Sequence, residues 1–110
     1  MNKLVIDVAN EKIFLMIITK DDIYNITKEN TKINYEKLTL ILKDFLNLNN
    51  LKLEDIQKIY VNRGPGSFAG IRNSLSIVKA INIARNVDYY CYSIEAVSYT
   101  HLTLPTNREV

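Results

Sequence analysis

All three glycines of this 110-residue chain fall within one stretch, Gly64-Pro65-Gly66-Ser67-Phe68-Ala69-Gly70-Ile71-Arg72. It connects a β-branched apolar run to an amphipathic one, so it reads as a strand-to-helix loop. Backbone N–H groups at the start of a helix have no intrahelical partner and can bind an anion. Glycine permits close backbone approaches that a side chain would block. The chemistry on offer is therefore anion or nucleotide contact through Gly64, Gly66, Gly70 and Arg72. Ser67 is best placed as the N-cap of the following helix rather than as a reacting group. Arg72 can hold an anion or pair with a carboxylate such as Glu95, and the sequence does not rank the two.

Known loop chemistries fail on spacing. A phosphate-binding loop of the Walker type needs Gly-Lys-Ser or Gly-Lys-Thr at its end, whereas this loop ends Gly70-Ile71-Arg72. A dinucleotide fingerprint needs its third glycine three residues after the second, and Gly66 and Gly70 are four apart. A nucleophile elbow would need glycines where Pro65 and Ala69 stand. His101 is the single histidine, so neither a Ser-His dyad nor a paired-histidine metal site can be built. Cys91 lies in Tyr89-Tyr90-Cys91-Tyr92 and reads as a buried, inert thiol, with no disulfide or zinc framework. Tyrosines 89, 90 and 92 could stack on bases, but strand positions in or near a core explain them more simply.

The elements that must hold the loop follow from hydrophobic pattern. Leu4 to Ile6, ending at Asp7, is a continuous apolar run, as in a strand buried on both faces. Ile13–Ile18 and Ile23–Thr27 follow after turns, giving a three-strand meander. The polar residues from Lys28 to Asn34 read as a connection. Leu38, Ile41, Leu42, Phe45 and Leu46 recur at helical spacing, and Asn49-Asn50 ends that helix. Residues 53–56 form a helical turn leading to a strand at 58–61. A second helix runs from Phe68 to about Arg85, with apolar positions 71, 75, 78 and 81 and a small-residue row Ser76, Ala80, Ala84. A fifth strand, 89–93, and a helix starting at 94–97 complete the order βββαβαβα. This is an α/β fold with a mixed sheet, the ribonuclease H-like or actin-like half-domain.

One core is all that this length supports. The chain is 47% hydrophobic and 24% charged, which sets disorder aside. Its net charge of +2, with both signs interspersed, gives no basic stripe for gripping nucleic acid unaided. No signal peptide or membrane-length run is present, so a cytoplasmic protein without membrane contact is expected.

The segment Gly-Pro-Gly-Ser-Phe-Ala-Gly-Ile-Arg resembles the signature of the TsaB (YeaZ) family, departing only where Ala69 replaces threonine. The resemblance extends to the first strand ending in Asp7, to Lys79-Ala80 in the middle of the second helix, and to Ser93-Ile94-Glu95-Ala96. It covers residues 1–97, and a complete member continues into a second lobe of similar length, absent here. Residues 98–110 resemble nothing in the family and read as a foreign ending. Family members usually carry Asp-Thr-Ser after the first strand, where this chain has Asp7-Val8-Ala9. Ser74 likewise stands where a smaller residue, usually glycine, is found. The region of Asn34-Tyr35-Glu36 departs from the His-Ser common before the first helix.

The resemblance implies a non-catalytic dimerisation or scaffold subunit in the addition of a threonylcarbamoyl group to the adenosine beside the tRNA anticodon. Its partners would be a TsaD-like catalytic subunit and a TsaE-like ATPase, with a homodimer also open and tRNA reached only through the complex. The catalytic relative carries a His-x-x-x-His metal pair that this chain cannot replace. ATP and Mg2+ would belong to the complex, with weak nucleotide binding by this chain left open. Pairing would use the first two helices, for which Tyr35, Ser76, Ile77, Ala80, Ile81 and Ala84 are the candidates. Asp7 could be the carboxylate that actin-like enzymes place near Mg2+, though one carboxylate alone makes a poor metal site and a turn-capping role is simpler. The competing expectations are an actin-like ATPase or sugar-kinase half-domain, a glycoprotease-type hydrolase, and a truncated fragment without activity.

Overall fold

The computed structural model describes residues 1–66 and 68–93. Five strands form one sheet in the order β3-β2-β1-β4-β5. They are β1 (Lys3–Asp7), β2 (Lys12–Ile18), β3 (Ile23–Glu29), β4 (Lys58–Asn62) and β5 (Asp88–Tyr92). β1, β2 and β3 make an antiparallel meander, while β1, β4 and β5 are parallel. The sheet is therefore mixed, as the pattern of a meander followed by alternating helices predicts. Lys12 and Glu29 form an ion pair across the β2–β3 ladder.

The helices are α1 (Lys32–Glu36), α2 (Leu38–Leu48) and α3 (Phe68–Arg85), with a 3-10 turn at Leu53–Asp55. α1 corrects the expectation of a plain connection. Thr31 Oγ1 accepts from the Asn34 N–H at 3.2 Å, a side-chain cap strong enough to start a helical turn in a polar stretch. α2 ends as the asparagine pair predicts: Asn50 takes φ +59°, and the Leu51 N–H donates to the Leu46 carbonyl at 2.9 Å. This is a left-handed helix stop, which asparagine tolerates better than most residues.

Strand alternation divides the core. Leu4, Ile6 and Val8, with Leu15, Ile59 and Val61, face α2 and α3, where Leu38, Leu42, Phe45 and Val78 meet them. Val5, Tyr60, Tyr90 and Tyr92 form a smaller cluster on the other face of the sheet. Tyr90 and Tyr92 are thus core residues of a strand. Cys91 is half-buried rather than fully buried, because it lies near the sheet edge that β5 forms. No helix among the described residues is long and apolar enough to cross a membrane. The expected helix at 94–97 and the separate ending at 98–110 lie outside the described residues.

Candidate functional site: the glycine loop and the helical face

In open α/β sheets, ligands bind beyond the carboxyl ends of the parallel strands. Here those ends carry Asp7 on β1, Asn62 on β4 and Tyr92 on β5. Ile6 pairs with Val61, and Asn62 with Tyr92, so the three polar residues lie in one row across the sheet and on one face. Asn62 is 1% exposed. Its Oδ1 accepts from the Gly64 N–H at 2.9 Å, while its Nδ2 has no partner. The residue thereby anchors the start of the glycine loop. Neither Asn62 nor Tyr92 stands out in the sequence as a site residue, since each ends an apolar strand without a motif.

Burial, and secondarily the Asp7 carboxylate, pushes the Tyr92 hydroxyl well above its ordinary range. An unfolded tyrosine ionises near pH ~10, whereas the native residue keeps its proton beyond that. Above that pH the unfolded state therefore holds fewer protons than the folded one, and stability falls as pH rises. We expect urea midpoints to drop between pH ~9 and ~11, and the Tyr92→Phe variant to show a shallower drop. An identical slope for both proteins would remove Tyr92 as the cause.

Two glycine positions are dictated by geometry. Gly64 takes φ +108°, a region that side chains rarely adopt. At Gly66 an added Cβ would lie 2.0 Å from the Ala9 carbonyl oxygen. The loop is thus seated on the β1–β2 turn, where Val8 and Ala9 are buried. Asp7 Oδ1 accepts from the Ala9 N–H at 3.1 Å, which is the turn-capping role expected of a strand-end carboxylate. Asn30 closes the same turn from β3, donating through Nδ2 to the Val8 carbonyl at 3.0 Å and to that of Asn10 at 2.6 Å.

A Mg2+-nucleotide in the actin-like manner fits these residues poorly. The turn offers Asp7, with an oxygen already engaged, the exposed Glu11, and apolar Val8 and Ala9 in place of hydroxyls. No group of three or more His, Cys, Asp or Glu that could hold a metal occurs among the described residues. Gly70 and Arg72 lie in the first turns of α3, Gly70 buried and Arg72 exposed. Ser67 and Glu95, and with them the N-cap role and the pairing of Arg72 with Glu95, lie outside the described residues.

On the helical face, Ser76, Ala80 and Ala84 are exposed along α3, and Ile77 is half-buried. Ile81 is buried in the core. Tyr35 is half-buried in α1, and its carbonyl accepts from Asn73 Nδ2 of α3 at 3.1 Å. A groove of about 480 Å3 runs between α2, α3 and residues 51–54, with Leu42 and Leu46 on one side and Ile77 and Ala80 on the other. Ile83, beside the small-residue row, is 83% exposed. It falls off the 71, 75, 78, 81 stripe, which is the signal that marks it as outward-facing.

The family model described as "TsaD: tRNA N6-adenosine threonylcarbamoyltransferase" matches residues 29–106. The "tRNA threonylcarbamoyladenosine biosynthesis protein TsaB" of Buchnera aphidicola subsp. Baizongia pistaciae (strain Bp) is 29% identical over 75 residues, covering 68% of this chain and 34% of that protein. YeaZ from Pseudomonas aeruginosa superposes with a TM-score of 0.77 at 20% identity, over 84% of this chain and 43% of its own. RuvC of T. thermophilus in complex with Holliday junction substrate gives a TM-score of 0.59 at 12% identity, over 90% of this chain and 68% of its own, a likeness of ribonuclease H-like fold alone. The chain spans about a third of the curated relative and under half of YeaZ. With more than half of its length matched by the family model, the chain belongs to the tRNA N6-adenosine threonylcarbamoyltransferase family, and the members it is similar to are of the TsaB/YeaZ kind.

Proposed function

We propose that this chain serves the biosynthesis of threonylcarbamoyladenosine in tRNA as a non-catalytic pairing subunit. It would present α2 and α3 to a catalytic member of its own family, with a TsaE-like ATPase as a further component and tRNA reached only through the assembly. The observation that carries the non-catalytic part is the seating of Gly66 on Ala9. The loop packs onto the Ala9 carbonyl, and the turn beneath it carries apolar Val8 and Ala9 where a phosphate would need hydroxyls. In addition, the chain contains a single histidine, so it supplies no paired-histidine metal site. The name of the TsaB relative supports the pathway. The exposed Ser76, Ala80 and Ala84 support pairing, since small residues let a second helix approach closely.

Calorimetric titration with Mg–ATP separates this reading from an actin-like ATPase half-domain. We expect no saturable heat at millimolar nucleotide. Saturable binding that the Asp7→Asn variant loses would favour the nucleotide-binding reading.

A further inference from the structure

β3 is an outer strand of the sheet, and among the described residues only β2 pairs with it. The phase of that pairing is set at both ends of the ladder. The Thr19 N–H donates to the Asp22 carbonyl, and the Asn30 N–H to the Glu11 carbonyl, each at 2.9 Å. Hydrogen-bonded positions alternate along an antiparallel pair. Asp22, Tyr24, Ile26, Lys28 and Asn30 therefore turn their backbone groups towards β2, while Ile23, Asn25, Thr27 and Glu29 turn theirs outward. The Glu29 carbonyl is taken by Asn34 Nδ2 at 2.9 Å. Ile23, Asn25 and Thr27, all exposed, are left as a free edge.

Sheet edges are commonly blunted by proline, a bulge or charge along the strand. β3 contains no proline, and its register with β2 runs unbroken from Ile23 to Glu29, so no bulge interrupts it. Its charges, Lys28 and Glu29, stand at one end, beyond the free positions. Ile23 is 63% exposed, and the run Ile-Tyr-Asn-Ile-Thr is rich in the β-branched and aromatic residues that suit strands.

This edge is complementary to itself. With a second copy laid antiparallel and Asn25 opposite Asn25, Ile23 of each copy meets Thr27 of the other, and every free position finds a free position. Tyr24 then lies opposite Ile26 of the second copy, on the face where both residues already pack against the main core. Aromatic and β-branched side chains opposite one another favour strand association. Lys28 lies opposite Asp22 of the second copy, so opposite charges meet at both ends. Moving the register by two residues loses the match. One direction sets the occupied Glu29 carbonyl beside Ile23, and the other sets Lys28 against Lys20. A two-fold contact of this kind uses up both free edges, so the assembly closes at two copies.

We infer that β3 is a dimerisation edge, where a second copy of this chain adds antiparallel and joins the two five-stranded sheets into one. No β3 residue lines the groove between α2 and α3, so the inference stands apart from the pairing reading and leaves that face open. Sedimentation velocity of the full chain from about 1 to about 300 μM tests it. Asn25→Pro removes an N–H that points outward, which an edge strand tolerates. Lys28→Glu sets like charges against Asp22, and the swap Asp22→Lys/Lys28→Glu restores the pair. Circular dichroism of each variant keeps folding defects separate from association defects. The expected result is a monomer–dimer equilibrium that weakens at least about tenfold in Asn25→Pro and in Lys28→Glu and recovers to within about threefold in the swap. A monomer at every concentration overturns the inference, as does a dimer that both single variants shift by less than about twofold. A dimer lost only in Ala80→Trp belongs to the helical face and overturns it too. The same holds if the swap restores nothing.

Discussion

The Gly66→Ala variant is expected to lose about 2 kcal/mol or more of folding stability in urea titration, although only one methyl group is added at an exposed loop. The new Cβ would lie 2.0 Å from the Ala9 carbonyl oxygen and 2.8 Å from its carbon. These are backbone atoms of the β1–β2 turn, so no side-chain rotation can relieve the overlap. Either the loop lifts off the turn or the turn itself moves. Lifting would pull on the hydrogen bond between Asn62 Oδ1 and the Gly64 N–H, and on the Asp7 cap of the turn. The exposed neighbour Ala69 is the control, since Ala69→Ser should stay within about 0.5 kcal/mol of the parent. Equal stability of both variants would mean that the loop does not rest on Ala9.

Ala80→Trp is expected to abolish pairing with the catalytic family member, a loss of about a hundredfold or more, without unfolding the chain. Ala80 is exposed, so the indole has solvent to occupy in the free protein. It also lines the groove between α2 and α3, and a partner helix seated there would meet the ring. Thermal melting should therefore change little while the complex disappears. Replacing exposed Lys79 on the neighbouring face with alanine should leave the affinity within about twofold. Retention of full affinity by the Ala80→Trp variant would move the pairing surface away from this groove.

Most of the fold is legible in the sequence because its core elements are strongly patterned. α3 coincides with the periodic segment from Phe68 to Arg85, and the unbroken Leu4-Val5-Ile6 run is a strand buried on both faces. α1 is not legible by the same means, because a five-residue helix without buried residues has no apolar stripe. What starts it is the Thr31 hydroxyl, a local hydrogen bond that periodicity does not detect. The site is only partly readable. The glycine cluster marks the loop, but its contact with Ala9 is a tertiary fact between residues 57 positions apart. Asn62 and Tyr92 join Asp7 through sheet register, which depends on how strands pair and not on any one strand's residues. Ile81 shows the opposite limit. Its spacing suits both a pairing surface and a core stripe, and its side chain, packed in the core, also lines the groove between α2 and α3.

The role proposed for this chain is pairing rather than chemistry of its own. Size-exclusion chromatography of the full chain mixed with a catalytic member of the family tests it most directly. A stable complex of the two chains that elutes ahead of either alone and contains both is expected. Separate elution of two folded chains at micromolar concentration would contradict it.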